Sequence, residues 1–289
     1  MNTRPPVVLR QRRDFGQTIS DSFAFMRQNW KPIMKALAGV SLLPMLVGLA
    51  LMGGMGYLAY TTVASGGGEG PEAVFGSLFG VLAIVLVFVL FVYAGVMMEA
   101  LTHEYFRAYE RGEHAGMSTA ELRHRCHTQF WSYLGIQFLT GIATIVGAVL
   151  CYLPGIWIAI AFILSPITHG EERLGATGSM GRSFKLVHKS FWGTLGLVFV
   201  MSLIIGAIQM ACFLPFYFVA IFSFIAGMQG GEFPIVAAII GGIGYIVLIV
   251  VSFFLIPLFR VSLGLQYYNL VEQFEGKGLQ DRLQNLGTV

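Results

Sequence analysis

Charge is what this sequence has least of. Asp, Glu, Lys and Arg make up 11% of its 289 residues, and 56% are apolar. A soluble domain carries roughly 25% charged residues, so too little charge is present to coat a globule of this length. Most of the surface must meet hydrocarbon. The net charge is only +3, and no stretch has the dense basic face that nucleic-acid binding requires, which excludes nucleic acid as a partner. Cysteine is scarce as well. Cys126, Cys151 and Cys212 are odd in number and far apart, so they supply neither a disulfide framework nor the spacing of a metal site. Met1 to Lys31 lacks an apolar h-region and a small-residue cleavage site, which predicts that it is not a secretory signal.

What the chain does contain is long apolar runs. A spanning helix needs about 20 such residues, and six runs qualify: Ile33 to Tyr60, Val74 to Met98, Tyr133 to Tyr152, Leu153 to Thr168, Gly193 to at least Phe213, and Ile235 to Leu258. The third and fourth are expected to form a tight hairpin around Leu153-Pro154-Gly155. The fourth is short and interrupted by Pro166, which leaves a re-entrant hairpin open as an alternative to a full crossing.

The basic residues test this map. All 18 fall in four groups: Arg4 to Lys35, Arg107 to Arg125, Arg173 to Lys189, and Arg260 to Arg282. The other loops, around Ser65–Pro71, Pro154–Gly155 and Met228–Phe233, have none. The positive-inside rule then predicts a multi-pass inner-membrane protein with both termini in the cytoplasm. The expected organisation is a basic cytoplasmic tail at 1–13, a single polytopic domain at 14–275 and a cytoplasmic tail at 276–289.

Three cytoplasmic segments read as amphipathic interfacial helices. Phe15, Ile19, Phe23, Met26 and Trp30 recur at helical spacing. Ser118-Thr-Ala-Glu121 has a capping-box pattern and opens a helix with Leu122, Cys126, Phe130 and Tyr133 in line. The third, Glu172 to Phe191, has Leu174, Gly181, Phe184, Val187 and Phe191 as its apolar residues and Arg182, Lys185 and Lys189 on a basic stripe. Each ends in aromatics suited to the headgroup level. The first and third are alike, Ser22-Phe-Ala-Phe-Met against Ser183-Phe-Lys-Leu-Val, as a repeated unit would be. The predicted fold is therefore an all-α membrane bundle of six transmembrane helices plus three interfacial helices.

No constellation names a reaction. His103, Glu104, His114, His124, Cys126 and His127 lie close in sequence but lack the spacing of a metalloprotease helix, and solvated helices account for them better. Gly175 to Ser183 lacks the phosphate-loop spacing. Glu171-Glu172 is read as a helix start favoured by the helix dipole. The reading is no metal, no cofactor and no enzymatic chemistry. Arg182, Lys185 and Lys189 are candidates for anionic lipid headgroups. Gln137, Thr144 and Gln209 are the candidate polar path inside the spans, where the simpler role is hydrogen bonding between helices.

Several short motifs fall together: Leu153-Pro154-Gly155-Ile156-Trp157, Pro166 followed by Glu171, Gly175-Ala176 leading to Arg182-Ser183-Phe184-Lys185-Leu186-Val187, and Tyr267-Tyr268-Asn269-Leu270-Val271-Glu272 followed by Gly276 to Leu279. Over most of its length the chain resembles the YciC-like group of membrane proteins, which is similar to the membrane domain fused to some glycerophosphodiester phosphodiesterases. Nothing here matches their soluble catalytic barrel, so that activity is not implied. The resemblance implies a six-helix membrane module near lipid metabolism or envelope maintenance. The functional expectation is a non-enzymatic protein that interacts with anionic membrane lipids, or serves as a subunit beside a protein partner or a second copy. The alternative is a transporter or channel for a neutral or amphipathic solute.

Overall fold

The computed structural model describes residues 6–64, 71–228 and 235–276. Among these residues the regular structure is entirely helical: α1 Phe15–Leu37, α2 Leu43–Ala64, α3 Pro71–Glu110, α4 Thr119–Leu150, α5 Tyr152–Phe162, α6 Ser165–Glu172, α7 Ala176–Lys189, α8 Phe191–Met228 and α9 Ile235–Glu275, with a π-turn at Ala38–Leu42 and a 3-10 turn at Glu113–Ala115. Six helical stretches are long and apolar enough to cross a membrane: Phe15–Leu58, Phe79–Glu110, Thr119–Leu150, Tyr152–Glu172, Phe191–Ser223 and Gly241–Glu275. Of the loops predicted around Ser65–Pro71 and Met228–Phe233, residues 65–70 and 229–233 lie outside the described residues, as does the tail beyond Gly276.

Two compact units are present. One draws its described residues from Met1–Ala36, Val96–Gly206 and Phe254–Val289, the other from Leu37–Gly95 and Ala207–Phe253. The single domain expected at 14–275 is thus drawn from two units, and α3, α8 and α9 supply residues to both.

The first two amphipathic segments are not separate helices. α1 passes through the π-turn directly into α2. Pro44 explains the turn: it has no N–H to donate and its ring crowds the carbonyl four residues back, and widening to π geometry relieves both. The Ser118 cap forms as the sequence predicts, its hydroxyl accepting from the Glu121 N–H at 3.1 Å. It opens α4, which runs unbroken for 32 residues through the interfacial segment and the third apolar run. Only the third segment stays distinct. It also starts later than predicted, at Ala176, because Glu172 ends α6 and Arg173 takes a left-handed conformation (φ 53°).

The helical periodicity of α1 picks out a half-buried face. Ile19, Phe23 and Met26 pack against Leu197, Met201 and Leu258, while Phe15 and Trp30 remain exposed. The deeper face is Thr18, Ser22, Phe25, Asn29 and Ile33. Phe25 stacks on Phe106 at 4.8 Å, and Asn29 accepts a hydrogen bond from the Tyr105 hydroxyl at 3.0 Å. A face mixing Ser, Thr and Asn with aromatics carries no simple hydrophobic period, so the sequence pattern passes over it.

The α4–α5 turn also differs from expectation. It is made by Cys151 alone, in extended conformation, with Leu153-Pro154-Gly155 inside the first turns of α5. Gly155 is there for closeness. A Cβ on it would lie 2.7 Å from the Ala148 Cα, so only glycine lets the two backbones meet.

Pro166 does interrupt the fourth apolar run. α5 stops at Phe162 and α6 begins at Ser165. The break would orphan a carbonyl and an N–H, and Ser183 of α7 satisfies both. Its hydroxyl donates to the Ala161 carbonyl at 2.8 Å and accepts from the Leu164 N–H at 3.2 Å. The buried face of α7 is accordingly Ser179, Ser183, Leu186 and Val187, and Gly181, expected among its apolar residues, is exposed.

Candidate functional site

In the first unit, charge is inside and apolar surface outside. Glu99, His103 and Glu104 are each at most 2% exposed, whereas Val149 and Leu150 are about 80% exposed and Trp192 is 80% exposed. In water this arrangement would be unstable on both counts. It is stable where the surrounding solvent is hydrocarbon and the buried charges are paired.

The pairing is specific. Arg260 of α9 donates to the Glu99 Oε1 of α3 at 2.6 Å. Gln137 of α4 donates to the other oxygen, and His103 Nε2 lies 3.8 Å from Glu99 Oε1. Stacking on Tyr133, with ring centroids 5.9 Å apart, holds the His103 ring. Glu104, one residue on, accepts from Arg173 at 3.0 Å. One turn of α3 therefore ties together α4, α9 and the α6–α7 connection.

A second ionic cluster surrounds α7. Arg182 holds Glu172 at 2.9 Å and Glu275 at 2.5 Å, and the Tyr267 hydroxyl donates to Glu172 at 2.9 Å. The hydrogen bond to Glu275 raises the guanidinium above its ordinary range, burial opposes the rise and Glu172 adds to it. These contacts correct the helix-dipole reading of Glu171-Glu172. The pair ends a helix, where the dipole is unfavourable to anions, and for Glu172 Arg182 and Tyr267 offset that cost.

Among the described residues of the N-terminal segment, Val8 to Arg13 are tied into this unit. The Arg13 side chain is fully buried against Asp21 at 2.8 Å. It donates to the carbonyls of Leu9, at 2.8 Å, and Val8, and the Arg13 N–H donates to Asn269 at 2.8 Å. Burial lowers the Arg13 pKa, and Asp21 opposes that shift.

Of the predicted headgroup residues, Arg182 is engaged by two carboxylates, while Lys185 and Lys189 are exposed. Lys189 Nζ sits 5.0 Å from the Phe274 ring centre. At the break between α7 and α8 a shallow cavity of about 600 Å³ opens, lined by Trp157, His188, Lys189, Phe191 and Trp192 among others. The polar path residues go separate ways. Gln137 is spent on Glu99. The Thr144 hydroxyl donates to the carbonyl of Thr140 on its own helix at 2.8 Å. Gln209, in the other unit, donates to Ser252 at 2.8 Å.

The histidine-rich stretch disperses. His103 is buried, His114 packs on Tyr109, and His124 and His127 are exposed. Among the described residues no three His, Cys, Asp or Glu converge as metal ligands. Sequence reasoning missed Glu99–Arg260 and Ser183. The signal for the first was a lone carboxylate and a lone guanidinium, each just beyond an apolar run.

These features define an all-α multi-pass membrane protein whose first unit is held by buried ion pairs. Compared with known proteins, the chain matches no family model, no curated protein and no solved structure.

Proposed function

We propose that this is a non-enzymatic inner-membrane protein, with both termini cytoplasmic, that holds anionic lipid headgroups at the junction of α7 and α8 and serves envelope maintenance, alone or beside a partner subunit. The observation that carries the reading is the cavity at that junction. Exposed Lys189 and His188 stand beside Trp157, Phe191 and Trp192, which combines a cation for a phosphate with amphipathic rings suited to the headgroup level. Arg182 leaves the headgroup set, because its charge is met by Glu172 and Glu275. α7 remains the interfacial helix of the proposal. The resemblance to YciC-like proteins points the same way.

The test is Lys185→Glu with Lys189→Glu, reconstituted in nanodiscs of phosphatidylglycerol and phosphatidylcholine. Each cation near an anionic surface contributes about 1 kcal/mol of attraction. Two such cations amount to about 2 kcal/mol, so retention of phosphatidylglycerol over phosphatidylcholine should fall at least roughly thirtyfold in the double variant, with thermal stability unchanged. Equal retention by the variant and the unaltered protein would overturn the reading.

A further inference from the structure

A second cavity, of about 610 Å³, lies within the first unit, apart from α7 and α8. Its walls are the N-terminal segment Val7 to Arg10, the last turn of α3 and Glu171 at the end of α6. The N-terminal wall is built rather than draped, since buried Arg13 holds the carbonyls of Val8 and Leu9.

The charges on the walls are unevenly satisfied. Glu110 pairs with Arg10 and accepts from the Tyr268 hydroxyl at 3.1 Å. Among the described residues Arg107 and Arg111, one helical turn apart, form no ion pair; Arg173 and Arg111 repel the Arg107 guanidinium, and Glu104 and Glu171 attract it more weakly. Glu171 lines the same cavity; its Oε1 is buried without a hydrogen-bond partner, while the carboxyl group also interacts with Glu110, Tyr268 and Arg107.

Arginines in the last turn of a helix are favoured by its dipole wherever they stand in solvent. That accounts for their presence at the end of α3. It does not account for their lining a concavity together with a carboxylate that has one oxygen unsatisfied. Two guanidiniums that no carboxylate holds in an ion pair match a phosphate, which they bind by charge-assisted hydrogen bonds. A buried carboxylate oxygen without a donor calls for a hydrogen-bond donor, best a charged one. We infer that this cavity binds a phosphate group bearing an amine, the phosphate on Arg107 and Arg111 and the ammonium on Glu171: phosphoethanolamine chemistry, presented either by a soluble phosphoester or by a phosphatidylethanolamine headgroup.

The experiment uses the full chain and two arms. In neutral detergent without lipid, thermal unfolding is followed as phosphoethanolamine, inorganic phosphate or sodium chloride is added at matched ionic strength. In nanodiscs of phosphatidylethanolamine and phosphatidylcholine, retained lipid is read by native mass spectrometry. The expected result is a saturable rise in unfolding temperature with phosphoethanolamine, selective retention of phosphatidylethanolamine, or both. The first alone identifies a soluble ligand and the second alone a lipid. Arg107→Gln with Arg111→Gln should abolish either response, and Lys185→Glu with Lys189→Glu should leave it intact. Glu171→Gln should bind phosphoethanolamine no better than inorganic phosphate. Should the arginine pair fail to fold, Val8→Trp, made at a half-exposed wall residue, fills the same space and should abolish the response. No response in either arm, or one that survives both the arginine and the Val8 variants, overturns the site. Undiminished preference for the amine in Glu171→Gln overturns its assignment to Glu171.

Discussion

Glu99 shows how a single residue sets the chemistry of its surroundings. A carboxylate 1% exposed persists because Arg260 and Gln137 each occupy one of its oxygens. Removing one partner leaves a buried charge uncompensated, at a cost of several kcal/mol, whereas removing both members of a pair is often tolerated. Arg260→Leu should therefore destabilise the protein by about 3 kcal/mol, near the lower end of the usual range because the arginine side chain is 28% exposed. Glu99→Leu together with Arg260→Leu should recover most of the loss. Denaturation of the three proteins in one detergent measures the difference. A double variant no more stable than Arg260→Leu would mean that the ion pair is not what holds Glu99 in place. Gly264 makes a related point through shape: a Cβ there would meet the Phe106 ring at 2.8 Å and Ile167 at 3.3 Å, so the absence of a side chain on α9 is what admits an aromatic from α3.

Among the elements, α1 and α7 share more than a sequence motif. Ser22 and Ser183 are both fully buried, Phe23 and Phe184 half-buried, and Phe25 and Leu186 buried three positions on from each serine. They part at their ends. α1 runs into the next helix, while α7 stops at Ser190. The serines also work differently. Ser22 donates to its own helix, at the Thr18 carbonyl, and Ser183 bridges the broken ends of α5 and α6. Ser183→Ala should consequently cost about 1–3 kcal/mol, because it leaves a buried carbonyl and an N–H unpaired. Ser22→Ala should cost distinctly less. Equal losses of stability in the two variants would argue against the bridging role.

At the scale of the whole molecule, the four basic groups and the six apolar stretches combine into one topology. Reporter fusions after Gly67 and Gly230 should read outside the cell membrane, and fusions after Gly112 and Gly175 inside. A cytoplasmic signal at Gly67 would reverse the assignment. Each apolar stretch supports its neighbours' placement, since an odd number of crossings would scatter the 18 basic residues over both faces.

Solvent, class and count were legible in the residues themselves. Apolar length and scarcity of charge report directly on hydrocarbon, because every buried backbone group in a span must be satisfied within its own helix, and that requirement is written locally. The Ser118 cap and the Pro166 interruption were readable for the same reason: each acts within one turn of chain. The ion pair between Glu99 and Arg260, 161 positions apart, was not readable. Neither residue carries a periodic signature, and a charge beside an apolar run looks the same whether it faces water or a guanidinium. Nor could periodicity find the deeper face of α1 or the serine face of α7: Thr18, Ser22 and Ser179 are satisfied within one turn of their own chain, whereas Asn29 and Ser183 meet partners from other helices, and neither kind of buried polar residue adds to a hydrophobic period. Apolar surface is selected by the solvent and so leaves a pattern along the chain. Buried polarity is selected by its partner, and only the tertiary structure brings the partner.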